Sequence, residues 1–174
     1  MQKLYLDCDG VILDTIVGPY KILAERGISK EEDVRAFYRQ IDWKSLIIQS
    51  GEIDNACQKI EALRECGLFD ISILSHVNSD NEASAKKEYF AYKLPGIEVI
   101  TVPKGIEKAD FVKANGAILV DDYLPNLEYW SEKGGISIKF SDSGKVCKFE
   151  TITSLLELIN GCKVKERVRW NLLM

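Results

Sequence analysis

The sequence predicts an α/β protein: a parallel sheet covered by helices on both faces, a three-layer sandwich, with a small helical cap inserted after the first strand. Three observations carry this. Short, almost continuously apolar runs recur along the chain, as strands buried on both faces require. Longer stretches with helical periodicity separate them, which is the alternation that builds a parallel sheet. The interval between the first two runs is much longer than a direct crossover needs.

The strands fall at residues 3–8, 70–75, 97–102, 116–120 and 136–140. Between the first two, residues 16–67 hold helical stretches at 17–26, 30–41 and 55–66 and no convincing strand. In the last stretch Ala56, Ile60 and Leu63 share one helix face, and Gly67 stops it. That leaves a catalytic core at 1–15 and 68–160 and a cap at 16–67, the latter segment also containing the return helix. A helix over 80–92 starts acidic and carries Lys86 and Lys87 in its middle. Another over 125–133 has Pro125 near its start and Gly134-Gly135 beyond its end. A last helix is expected over 151–159, with Thr151 or Thr153 as its cap. The tail, 161–174, turns basic and then apolar (Val168, Trp170, Leu172, Leu173), suited to packing on the body or on a second subunit as a homodimer.

At 174 residues the chain has the size of one domain with a modest insertion, and 46% hydrophobic with 29% charged residues is ordinary for a globular protein. A net charge of −4 lacks the broad basic surface that a nucleic-acid duplex needs, yet permits a small phosphorylated metabolite held through a local lysine and a metal. Five cysteines, without a CxxC pair and with His76 as the single histidine, read as free thiols in a reducing compartment. No apolar run approaches the ~18 residues of a membrane span, and no signal-type stretch opens the chain. The expectation is a cytosolic protein with no membrane partner.

Chemistry concentrates where such a sheet binds ligands, beyond the carboxyl ends of its strands. Asp7 and Asp9 end the first strand, where the i, i+2 spacing puts both carboxylates on one face and calls for a cation or a shared proton. Ser75 ends the second strand, Lys104 and Lys108 follow the third, and Asp121-Asp122 end the fourth. Carboxylate pairs from two strand ends, beside a hydroxyl and an ammonium, suit Mg²⁺ and a phosphate.

The order Asp7-Cys8-Asp9-Gly10-Val11-Ile12-Leu13-Asp14-Thr15, then a strand ending in Ser75, then a lysine, then Asp121-Asp122, resembles the four motifs of the haloacid dehalogenase superfamily of phosphohydrolases. The stretch from Ala117 to Asn126, with Trp130 and Gly134-Gly135-Ile136, is similar to bacterial and phage members of the 5'(3')-deoxyribonucleotidase family. The resemblance implies a Rossmann-like core and a Mg²⁺-dependent phosphatase acting on a (deoxy)nucleoside monophosphate through an aspartyl-phosphate. It makes Asp7 the nucleophile and Asp9 the acid/base, whose carboxyl the neighbouring charge should push toward neutrality. Gly10 would turn the backbone beside the phosphate, Ser75 would donate to it, and Lys108, with Lys104 as second choice, would neutralise it. Mg²⁺ would rest on Asp7, the Asp9 carbonyl and Asp122, with Asp121 acting through water.

Other assignments stay open at this level. A sugar-phosphate phosphatase or phosphomutase shares the same motifs, and a non-catalytic binding module shares the fold. Asp14 and Thr15 read either as helix caps or as residues near the cap, His76 as structural or, directly after Ser75, as reaching the substrate, and Asn126 as holding the loop after Asp122. Trp43, Trp130 and Trp170 read as core or interface residues, while Phe37, Tyr38 and Trp43 are the cap aromatics able to stack on a nucleobase.

Overall fold

The computed structural model describes residues 1–141, 143–144 and 147–160. Its six strands form one parallel sheet in the order β3-β2-β1-β4-β5-β6. They are β1 (Gln2–Leu6), β2 (Phe69–Val77), β3 (Glu98–Pro103), β4 (Ile118–Asp121), β5 (Ile136–Phe140) and β6 (Glu150–Ile152). The apolar runs are strands because both faces are covered: Leu4, Leu6, Ile118 and Val120 are buried on one side and Tyr5, Leu74, Leu119 and Val102 on the other. Each fully buried leucine contributes about 1.5–3 kcal/mol.

Four helices, α1 (Val17–Glu25), α2 (Glu31–Gln40), α3 (Trp43–Ser50) and α4 (Ala56–Glu65), fill the interval between β1 and β2. Helix α3 starts on Asp42, whose carboxylate accepts from the Ser45 N–H at 3.1 Å. The chain departs and returns at adjacent points, because Asp14 N donates to Gly51 O at 3.2 Å and Ile53 N to Ile12 O at 2.8 Å. Helices α1–α3 are thus an excursion closed at its base, and α4 is the return helix, with Ala56, Ile60 and Leu63 buried as their spacing predicts. Gly67, at φ +69°, ends it.

Helix α5 (Asp80–Lys93) follows β2, the short α6 (Lys108–Phe111) follows β3, and α7 (Leu124–Glu132) follows β4. Trp130 of α7 belongs to the core: it is fully buried, donates to Ala117 O at 3.1 Å, and meets Tyr5 edge-on. The helix expected over 151–159 is corrected. Its start is strand β6, which pairs with β5 through Phe140 and Ile152, and only α8 (Glu157–Asn160) is helical. Three residues at a sheet edge are too few to show a period of two. Glu157 caps that turn, accepting from Thr153 N at 2.8 Å and Ser154 N at 2.9 Å.

Cys8, Cys57, Cys66 and Cys147 are free thiols. No helix among the described residues is long and apolar enough to cross a membrane. Cys162, Trp170 and the rest of the tail, with the homodimer expectation, lie outside the described residues.

Candidate active site

The strand order reverses about β1: the chain steps outward to β2 and β3, then returns to β4 on the other side. This is where open α/β sheets bind ligands. Leu6 is level with Val120, and Asp7 N donates to Val120 O at 2.9 Å, so Asp7 and Asp121 emerge side by side. Lys108, buried at the start of α6, lies between them, 2.8 Å from Asp7 Oδ1 and 2.7 Å from Asp121 Oδ2. Asp7 Oδ1 also accepts from Cys8 N at 2.8 Å. Asp121 has two further donors: Asn126 Nδ2 donates to Oδ2 at 2.9 Å and Tyr123 N to Oδ1 at 2.8 Å. Asn126, in the first turn of α7, holds Asp121 and also lines the cavity above these groups.

Asp9 has other partners. Like Asp7 it lies just past β1, and both carboxylates line one cavity while Cys8 between them is buried in the core. Asp9 Oδ2 is 2.6 Å from the Lys86 ammonium and 3.4 Å from the Ser75 hydroxyl, while its Oδ1 accepts from Thr15. Ser75 is buried inside β2 rather than at its end. Lys86 also reaches Glu82 at 2.7 Å and Ser75 Oγ at 2.9 Å. Thr15 is therefore no helix cap; α1 has none from a side chain.

The two carboxylates respond in opposite directions. Burial, then the Asp121 charge, pushes Asp7 up to about 8 against the pull of Lys108. Burial also raises Asp9, but Lys86 and the Thr15 hydroxyl outweigh it and hold the group below its ordinary value. The sequence-based expectation of an Asp9 pushed toward neutrality is thus overturned, because a like charge two residues away counts less than an ammonium in contact.

Above these groups lies a cavity of about 650 Å³ lined by Asp7, Asp9, Asp122 and Lys104 below and by Tyr20, Tyr38 and Trp43 from the α1–α3 excursion. Tyr38 and Trp43 stack at 6.0 Å, and the α2–α3 corner is tied to α5 by Asn81 Nδ2 donating to Ile41 O at 3.0 Å. Phe37 is buried away from this cavity. His76 lines it, with Nε2 2.9 Å from Ile106 O.

No protein-family model matches the sequence, and no curated protein does. Solved structures do. A phosphonoacetaldehyde hydrolase-like protein from Oleispira antarctica superposes with a TM-score of 0.63 at 16% identity, over 98% of this chain and 93% of the other. A HAD-superfamily hydrolase of subfamily IA from Geobacter sulfurreducens gives 0.59 at 14% identity, over 92% and 95%. The D,D-heptose 1,7-bisphosphate phosphatase of B. bronchiseptica, complexed with magnesium and phosphate, gives 0.56 at 11% identity, over 98% and 99%. The chain has the haloacid dehalogenase-like fold.

Within that fold the residues suit a hard divalent cation. Asp7, Asp121 and Asp122 each bring a carboxylate oxygen to within 4.8 Å of the others; the Lys108 ammonium meets Asp7 and Asp121, and that of Lys139 donates to the Asp122 carbonyl. Burial, then the Asp121 charge, pushes Asp122 up to about 6 against the pull of Lys139 and Lys108. Oxygen donors alone are what Mg²⁺ prefers. Gly10, at φ +77°, has a second function here beyond turning the chain: a methyl group at this position would overlap the Asp122 carboxylate. The Asp9 carboxylate lies outside the cluster.

Lys86 and Glu82 are the site residues that sequence reasoning missed. A helix periodicity over 80–93 places Glu82, Lys86, Tyr89 and Lys93 on related faces without telling which face meets the sheet. The available signal was a Glu-to-Lys i, i+4 pair beginning seven residues after Ser75.

Proposed function

We propose that this chain is a Mg²⁺-dependent phosphatase that hydrolyses a small phosphomonoester, a (deoxy)nucleoside monophosphate, through an aspartyl-phosphate on Asp7. Asp7 carries the reading: a buried carboxylate at the end of the central strand, its Oδ1 held by Lys108 and by the Cys8 N–H, both at 2.8 Å, facing a cavity of about 650 Å³. The oxygen that remains, Oδ2, is the one to attack phosphorus. As the new O–P bond forms, the bond to the ester oxygen breaks, and Asp9 gives that oxygen its proton. An arriving phosphate dianion raises the proton affinity of Asp9, offsetting Lys86. Water then attacks phosphorus, loses a proton to Asp9 and displaces Asp7.

Two of the three N–H bonds of Lys108 are directed at Asp7 and Asp121, and the third would serve a phosphoryl oxygen. Ser75 donates to another. Asp7, the Asp9 carbonyl and Asp122 would hold Mg²⁺, with Asp121 acting through water; the ion supplies charge neutralisation on the phosphoryl group. Helices α1–α3 serve as the cap. Six residues between 15 and 43 line the cavity, Thr15, Ile16, Pro19, Tyr20, Tyr38 and Trp43, and none is charged. An aromatic, uncharged wall suits a nucleobase better than a sugar phosphate. A phosphate-release assay with Mg²⁺ over nucleoside monophosphates and sugar phosphates tests this. Nucleotides are expected to turn over fastest; preference for sugar phosphates replaces the substrate class, and release from no compound refutes the reading.

A further inference from the structure

We propose that Lys86 is a positioning residue for the acid/base step, fixing which oxygen of Asp9 carries the proton and which way the Ser75 hydroxyl points; the inference rests on the phosphatase reading above. Lys86 has no exposed surface. Its ammonium meets Asp9 Oδ2 at 2.6 Å, Glu82 Oε1 at 2.7 Å, Ser75 Oγ at 2.9 Å and His76 O at 3.2 Å. A lysine has three N–H donors, so protein acceptors take them all, and none is left for a ligand. Lys86 can influence the reaction only through the groups it holds.

Two consequences follow from the donor direction. Asp9 Oδ2 is committed to Lys86, so the transferable proton belongs on Oδ1, where Thr15 orients it. Ser75 Oγ already accepts from Lys86, so its hydroxyl hydrogen must be given away. Its contacts within the protein are long, 3.2 Å to His76 O and 3.4 Å to Asp9 Oδ2, and a phosphoryl oxygen would replace them. Glu82 makes this lysine tolerable in the interior. It is 2% exposed, its second oxygen accepts from Asn78 N at 2.8 Å and Asn78 Nδ2 at 3.0 Å, and it sits one turn before Lys86 on α5.

The test separates positioning from a purely structural ion pair by the leaving group. Full-length wild type, Lys86→Met and the charge-balanced Glu82→Gln/Lys86→Met pair are assayed with Mg²⁺ on p-nitrophenyl phosphate and on a nucleoside 5'-monophosphate, alongside thermal melts. p-Nitrophenolate leaves without a proton, whereas a ribose alcohol needs one. In both variants kcat on the nucleotide should fall about 100-fold or more, kcat on the aryl phosphate less than about tenfold, with KM changed little. Equal losses on both substrates, recovery of nucleotide turnover in the double variant, or failure of both variants to fold assigns Lys86 to the fold alone and overturns the inference. Wild type that releases phosphate from neither substrate removes the phosphatase reading itself, an outcome distinct from all of these.

Discussion

Lys108 and Lys86 each lie between two buried or half-buried carboxylates, Lys108 on the β4 side of the central strand with Asp7 and Asp121, Lys86 on the β2 side with Asp9 and Glu82. The parts are the same and the outcomes differ. On the β4 side a third carboxylate, Asp122, joins the cluster, and Asp7 is pushed up to about 8. On the β2 side the ammonium in contact prevails over burial and Asp9 is held low. The β4 half, with three carboxylates about Lys108, is the shorter of positive charge and suits a cation; the β2 half sets two carboxylates on Lys86. A neighbour count of charges, rather than sequence proximity, decides how each of two aspartates two residues apart behaves.

The comparison is broken most directly at Asp7. Asp7→Asn should reduce phosphate release by at least about 10³-fold, since the nucleophile is gone. Its melting temperature in chelator should not fall, because the substitution removes a carboxylate from an overcrowded cluster. Retained turnover would sink the aspartyl-phosphate, and a large drop in stability would mean that the β4 side is not short of positive charge.

A smaller effect concerns pH. Folded protein without metal holds protons on Asp7 and Asp122 that the unfolded chain releases, because both groups are raised, to about 8 and about 6. Stability in chelator should therefore be greatest near pH 5 and be lost as pH rises toward 8, by at most about 1.4 kcal/mol per pH unit for each proton. Asp9, displaced downward, adds nothing in that window, since its contribution is lost only on acidification below the ordinary carboxylate range. Thermal melts from pH 5 to 8, with chelator and with Mg²⁺, should show a slope that the ion removes. A metal-free protein that grows more stable toward pH 8 contradicts the comparison.

The smallest effect sharpens it. Gly10→Ala forces a side chain into the left-handed region, at about 1–2 kcal/mol, and into the Asp122 carboxylate. Calorimetry should find Mg²⁺ bound about 10- to 100-fold more weakly. The Lys86 half should be untouched, so the aryl-to-nucleotide ratio of kcat at saturating Mg²⁺ should match wild type. A changed ratio would couple the halves that the geometry separates.

Much of this was legible before any coordinates. Apolar runs located five of the six strands among the described residues; Asp7 and Asp122 line one cavity, Lys108 pairs with Asp7 and Asp121, and Ser75 lies 3.4 Å from Asp9. Lys108 rather than Lys104 makes the ion pairs, in line with its distance of 13 residues from Asp121. Strand β6 escaped because a three-residue edge strand carries no periodicity, and Lys86 escaped because a helix of mixed character does not announce its buried face.

What the chain determines by itself is local: strand runs buried on both faces, a return helix with one apolar face, and a motif whose spacing sets Asp7 at a strand end. What only the tertiary structure decided is the company each charge keeps. Asp9 meets Lys86 across 77 positions and Ser75 across 66, and Asp7 meets Asp121 through the register of β1 on β4. Electrostatic interactions fall with distance in space and have no term for distance along the chain, so the motif can name the reacting groups while packing sets their proton affinities.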